Sequence, residues 1–348
     1  MGPAVDERTA EKDAKGLVAE IYETLDRGKT DSLFALLTDS LVVFGPRRTD
    51  AMQSRSDALV ALGKVLKVNE PKPPKPDPKA PKAKKHQSVH SGGLAVVTSE
   101  GGHSAWAFDV LQVDGQPLAV TAILSNTDDI WAVTAAAVAS TPTGKQVKAE
   151  AAKDAIVPPG ATFPAKIGPG ADAAVEKFKK GLVDQESWGE DLEFRSDAIV
   201  VGPIAGEVAR GKAAIKRQWN ARTKSNVREA TSGEIAAAMT ADGQLVWISV
   251  PVTRVADGEE PMPLRVFAIY EKDGTGWKMI ALHEALAIDE PGSGTAWKKI
   301  LPPPAAPPPP EPPKVEPTDK KPDDAAPTTT KKKTRSKKKP KKAKPADN

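Results

Sequence analysis

The chain has no cysteine among its 348 residues. That excludes disulfides, thiolate-bound zinc and a cysteine nucleophile, and it suits a reducing compartment. No apolar run approaches the roughly 18 residues a membrane helix needs, so no transmembrane segment is expected. The opening MGPAVDERTAEKDAKG has no apolar leader core, and Asp6 breaks the myristoylation pattern. The expected localisation is therefore cytoplasmic. Gly-rich phosphate loops and a GxSxG nucleophile elbow are missing too. His86 and His90 lie close together without further ligands beside them. No metal and no cofactor are expected.

Acidic residues are scarce at one end. Residues 301–348 carry thirteen Lys/Arg against six Asp/Glu, a net +7, which leaves −3 of the total +4 on the rest. The alkaline balance thus belongs to the tail and does not describe a basic groove.

What is present is a repeat. Pro117–Ala139 reads PLAVTAILSNTDDIWAVTAAAVA and Pro263–Ala285 reads PLRVFAIYEKDGTGWKMIALHEA. Trp131 and Trp277 align at the same offset of 146 residues as Pro117 and Pro263. The second of these stretches holds two β-type runs around KDGTG, a hairpin signal.

Helical periodicity predicts helices over Lys12–Arg27, Thr30–Leu37 with Leu33 and Phe34 inward, and Ser56–Val68 with Leu59, Val60, Leu62 and Val65 apolar. A short strand, Leu41–Phe44, ends at Gly45-Pro46. The insert 69–86 contains six prolines and many lysines, the composition of a solvated extended loop. Strands are expected at 93–99, 105–113, 117–125 and 130–139. Residues 143–169 read as a linker. A second series then begins: helices at 172–182, around Trp188 and from Arg210, a strand at 198–201 ending at Gly202-Pro203, and three final strands. Residues 1–9 are expected to fray. The Pro-rich and Lys-rich residues 291–348 are expected to be disordered.

This order, the stretches LVVFGP and IVVGP, the RGKAAI helix start and the ending WKMIALHEA resemble one superfamily. It is the nuclear-transport-factor-2-like group, in its SnoaL-like and ketosteroid-isomerase-like branch. The resemblance covers about residues 8–140 and 170–288. It implies an α+β fold of two tandem cone-shaped domains, 8–142 and 170–290. Each would be a curved antiparallel sheet with helices on one face, around an apolar pocket for a small apolar ligand. Both faces of the sheets are apolar, so the two copies are expected to pair sheet to sheet.

In the isomerase-like enzymes a helix Tyr and a second acid form an oxyanion hole, and a carboxylate before a Pro is the base; ketosteroid isomerase is a standard case of such pKa tuning. Tyr22 matches the helix Tyr. The base positions fall on Gly45 and Gly202, which cannot move a proton. The resemblance therefore implies a non-catalytic module that binds a small molecule or a partner.

The alternative is an isomerase, cyclase or dehydratase working in the second pocket. On strand parity, His283 shares a row with Trp277 and Met279 and would serve there as base, with Arg265 orienting a carboxylate. The competing readings are a hydrogen-bonded core histidine and an interface arginine. Trp219, Trp247 and Phe267 complete the candidate lining, while Glu284 and Lys278 fall on the opposite row and are expected to be partner-facing or exposed. A third reading is a polyanion adaptor. Lys331, Lys332, Lys333, Arg335, Lys337, Lys338, Lys339, Lys341, Lys342 and Lys344 would hold nucleic acid non-specifically by counterion release.

Overall fold

Asp6 caps the first helix. Its carboxylate accepts the Arg8 amide at 3.4 Å and the Thr9 hydroxyl at 3.1 Å. Helix α1 (Glu7–Asp26) therefore starts inside the stretch expected to fray. The computed structural model describes residues 6–45, 51–65, 89–113, 116–159, 166–192, 195–289 and 291–292. The insert 69–86 and the lysine-rich tail lie outside the described residues.

The first lobe follows. Helix α1 buries Ala10, Ala14, Leu17, Val18 and Leu25 on one stripe, and Gly28 at φ 66° stops it. A 3-10 turn over Thr30–Leu36 comes next. Three residues per turn put Leu33 and Leu36 on one side and turn Phe34 outward, against the expected packing. Phe34 is exposed, and the Arg55 guanidinium lies 3.4 Å from its ring centre. Strands β1 (Leu37–Phe44) and β2 (Ala51–Met52) precede α2 (Arg55–Val65), which buries Ala58 and leaves Val60 exposed, also against expectation. Then come β3 (Val89–His90), β4 (Ala95–Thr98), β5 (Ser104–Val113), β6 (Gln116–Thr127) and β7 (Ile130–Ser140).

The stretch expected as a linker is partly folded. Thr143 and Gln146 form a reciprocal capping box that starts α3 (Gly144–Ala152). Strand β8 (Ile156–Val157) follows. The second lobe contains α4 (Asp172–Val183), α5 (Gln185–Leu192), β9 (Ile199–Val201), β10 (Val208–Arg210), α6 (Gly211–Lys224), β11 (Arg228–Thr231), β12 (Ala236–Met239), β13 (Leu245–Val255), β14 (Met262–Asp273) and β15 (Gly276–Ile288). Val147 of α3 packs into this lobe's core, and β8 pairs with the end of β15. Among the described residues, no helix is long and apolar enough to cross a membrane.

The two sheets have one topology. The first runs β2-β1-β7-β6-β5-β3 with β4 also on β5; the second runs β10-β9-β15-β14-β13-β11 with β12 also on β13. Both are mixed sheets and not antiparallel ones as expected, because β1 joins β7 and β9 joins β15 in parallel. The first strand of each lobe sits against the last, and a connection that long permits a parallel pair. Equivalence extends to detail. Trp131 pairs with Asn126, and Trp277 with Lys272. Each final hairpin carries a register shift, at Ile123/Leu124 and at Ile269/Tyr270. All four of these positions keep the offset of 146 seen in the sequence.

One face of each sheet packs under its own helices. The opposite faces share a third buried cluster: Phe44, Trp106, Phe108, Ile123 and Ala137 from the first sheet meet Val201, Leu245, Trp247, Phe267 and Ile280 from the second. Phe44 meets Trp247 edge-on at 6.0 Å, and Trp247 stacks on Phe267 at 6.2 Å. Polar pegs surround the cluster. Arg265 donates to the Gly45 carbonyl at 3.1 Å and covers the Phe44 ring. Ser104 donates to Asp242 at 2.8 Å.

Phe44→Ala removes the ring that touches both the aromatic pair and Arg265. It is expected to lower unfolding free energy by about 3–5 kcal/mol, read from urea denaturation. Val60→Ala, on an exposed helix face, serves as the control and should shift it by no more than about 0.5 kcal/mol.

Candidate functional site

Strand β15 decides what reaches each face of the second sheet. Simple alternation predicts Trp277, Met279, Ala281 and His283 in one row. The pairing breaks that rule: Ile269 faces Ala281 while Tyr270 faces Met279, so Ile280 is the extra residue of a β-bulge. Alternation restarts one residue late. Trp277 and Met279 face the helices, but beyond the bulge the helix side takes Leu282 and Leu286, and Ala281 joins the inter-sheet cluster.

His283 consequently lies between the sheets and not in the second-lobe pocket. Its Nδ1 is 3.0 Å from the Thr121 hydroxyl of β6, and its Nε2 has no hydrogen-bond partner. Burial holds its pKa down at about 4, against a smaller upward pull from Glu284. The ring is neutral at physiological pH. Arg265, Trp247 and Phe267 also belong to the contact between the lobes. Trp219, Trp277 and Met279 are buried in the second lobe's own core. Tyr22 is in the first lobe, where burial and the neighbouring Asp109 carboxylate push its phenol well upward. Asp109 is itself buried and accepts from the Gly92 amide at 3.2 Å. Lys278 sits 3.5 Å from Asp191.

Glu284, expected to be exposed or partner-facing, is instead fully inside on the helix side of the sheet. Its partners come from α6 and β13. The start of α6 depends on Gly211, at φ 73°, where a Cβ would meet the Ser196 carbonyl at 2.7 Å. From that start, Ile215, Trp219 and Arg222 fall on one buried stripe. Trp219 donates to the Gln185 carbonyl at 2.7 Å, and Arg222 lies over its ring. Arg222 donates to Glu284 and to Glu229, each at 2.7 Å. Arg254 donates to Glu229 at 2.9 Å and pairs with Glu284 as well. Two arginines and two glutamates thus pair with one another out of water, although burial and the neighbouring Glu284 raise the Glu229 carboxyl against the pull of both arginines. Burial alone would raise Glu284, but Arg222 and Arg254 outweigh it and hold the carboxyl at about 2.

Above this quartet is a cavity of about 430 Å³. Its wall combines Val208, Ala209, Ala214, Val227 and Ala256 with Arg217, Arg222, Arg254, Glu207, Glu259 and Glu284. None of the residues singled out in the sequence as ligand-pocket candidates lines it. Glu207 is half-buried, and one of its oxygens accepts the Ile204 amide at 3.2 Å. Burial raises its pKa, opposed by that amide and by Arg254. The legible signal for this site was Arg222, a charge on the apolar stripe of a helix. Glu207 and Glu284 had no such mark. Among the described residues, no group of three or more His, Asp or Glu is placed to hold a metal ion.

No protein-family model matches the chain, and no curated protein matches it. Solved structures resemble parts of it. A protein with a cystatin-like fold from Caulobacter vibrioides is 19% identical, with 34% of this chain and 91% of that chain covered and a TM-score of 0.28. A nuclear-transport-factor-2-like protein of unknown function from Shewanella baltica is 12% identical, with 41% and 100% covered and a TM-score of 0.28. A protein provisionally named as a scytalone dehydratase, from Novosphingobium aromaticivorans, is 12% identical, with 39% and 87% covered and a TM-score of 0.29.

Two outcomes follow from the buried charges. His283 binds its proton less well folded than unfolded, since about 4 lies below the ordinary 6.5. Its contribution is complete above the unfolded value and is lost as pH falls from there toward 4, on the order of 3 kcal/mol in all. In His283→Leu, the difference in unfolding free energy between neutral and acid solution should shrink by that amount. Arg222→Met strands buried carboxylate charge and is expected to cost about 3–5 kcal/mol in the same measurement.

Proposed function

We propose that the chain is a tandem of two SnoaL-like units, 8–142 and 170–290, and that the second is a small-molecule-binding module. The observation that carries this reading is the cavity between α6 and the sheet. Its volume of about 430 Å³ lies within the ~300–1,000 Å³ usual for small ligands. Its wall combines apolar side chains with charged ones, of which Arg222, Arg254 and Glu284 are held by one another. The duplication is supported by the shared strand order and by bulges and tryptophans at one constant offset.

The binding role is favoured over isomerase chemistry by the two glycines at the base positions. Gly45 offers only its carbonyl, which Arg265 occupies. His283 and Arg265, the pair an enzyme would have used, both lie in the contact between the sheets. One observation keeps an isomerase, cyclase or dehydratase as the second reading: Glu207, a carboxyl with raised pKa, lines the cavity. The first unit, on this reading, is the packing partner of the second.

The test uses Ala221, exposed on α6 at the cavity wall. Ala221→Trp should block the space while changing stability by no more than about 0.5 kcal/mol. Binding of the fluorescent probe anilinonaphthalenesulfonate should weaken at least about tenfold, some 1.4 kcal/mol. Unchanged binding would remove the cavity as the ligand site. The tail reading is separate: deletion of residues 301–348 should abolish salt-sensitive retention on DNA, and retention by the truncated chain would dismiss it.

A further inference from the structure

Three arginines and three glutamates share the cavity wall, and their pairing leaves a defined remainder. Arg222 and Arg254 are paired with Glu284 and with Glu229 behind the wall. Yet Arg254 commits only Nε and Nη2. Its Nη1 has no hydrogen-bond partner among the described residues and is not buried. Arg217 is exposed and likewise unpaired among the described residues. The wall therefore offers a carboxylate one nitrogen of Arg254 and the whole planar fork of Arg217.

Glu207 is the complementary remainder, a carboxyl with no ion pair among the described residues. Its Oε2 lies 2.5 Å from where a side chain on Gly202 would begin. The glycine thus makes the room in which this carboxyl is held, with the Ile204 amide as its fixed hydrogen bond. A ligand carboxylate entering here adds a negative charge beside the half-buried Glu207. Two carboxylates sharing one site raise the pKa of one of them. A protonated Glu207 also gains a use, because its O–H can donate to the ligand's anionic oxygen.

We propose that this cavity binds a small carboxylate through Arg254 and Arg217, and that Glu207 takes up one proton as the ligand enters. The proposal rests on the second unit being a ligand-binding module and names its ligand class. The other charged groups on the wall are Glu284 from the sheet, Arg222 and Arg217 from α6, Arg254 from β13, and Glu259 at the exposed rim; no histidine lines it. Glu284 holds its charge down to about 2. Burial favours the neutral form of Glu207, as it does for Glu229 behind the wall.

Titration calorimetry of the full chain with benzoate and with its neutral analogue benzamide, from about pH 5 to about pH 8 in buffers of different ionisation enthalpy, tests this. Benzoate binding should take up close to one proton. Its affinity should rise as pH falls, by up to about tenfold per unit above the pKa of unliganded Glu207, and level off below it. Benzamide should bind without pH dependence. Glu207→Gln should bind benzoate with no proton uptake and a flat profile. Flat benzoate affinity in the native chain, or uptake that persists in Glu207→Gln, overturns the proposal while leaving the binding module standing. Preference for benzylamine, tightening as pH rises, overturns it in favour of a cationic ligand. If neither benzoate nor benzamide binds, the binding module falls and the proposal with it.

Discussion

A single extra residue in the last strand governs how the second lobe divides its labour. Up to Met279, β15 presents its odd-numbered side chains to the helices. After Ile280 it presents the even-numbered ones. The bulge sends His283 toward the other sheet and Glu284 toward α6. Without it, a carboxylate would face the inter-sheet cluster and an imidazole would face Arg222 and Arg254. Neither arrangement is electrostatically tolerable in a dry interior. The charge quartet and the apolar contact between the lobes both depend on that one irregularity.

The quartet has a second role beyond satisfying its own members. A buried ion pair gives little net stability compared with apolar packing of the same volume. What it does here is fix Arg254 from two sides where that side chain lines the cavity. Arg222, stacked on Trp219 and tied to two glutamates, closes the same floor. These two arginines are preorganised and carry little rotamer freedom to lose when something binds.

Much of the architecture could be read from residue order. The 146-residue offset between Trp131 and Trp277 carried over into strand order, register and bulge position, because repeated apolar patterns impose repeated pairing. Apolar stripes located α1, α2 and α4. Reading failed where local geometry departs from ideal periods. Phe34 was assigned to the core on an α-helical count, and a tighter turn moved it out. The parallel pairing of β1 with β7 has no sequence mark at all, since it joins the two ends of a lobe. The candidate site suffered most: His283 and Glu284 were exchanged between faces by one unpaired residue. Glu207 escaped notice because its position makes sense only once Gly202 is seen to vacate the space beside it.

The short strand β8 has a consequence for the solubility of the fold. The open flank of β15 is covered in two pieces, by β9 along Ala281–His283 and by β8 at Ala287–Ile288. Only the second piece is delivered from outside the lobe's own helix-and-strand series, by the chain that arrives from the first lobe. Removing β8 would turn that shielded margin into bare backbone donors and acceptors, the template on which another extended segment can grow. The segment between the lobes thus also guards against self-association.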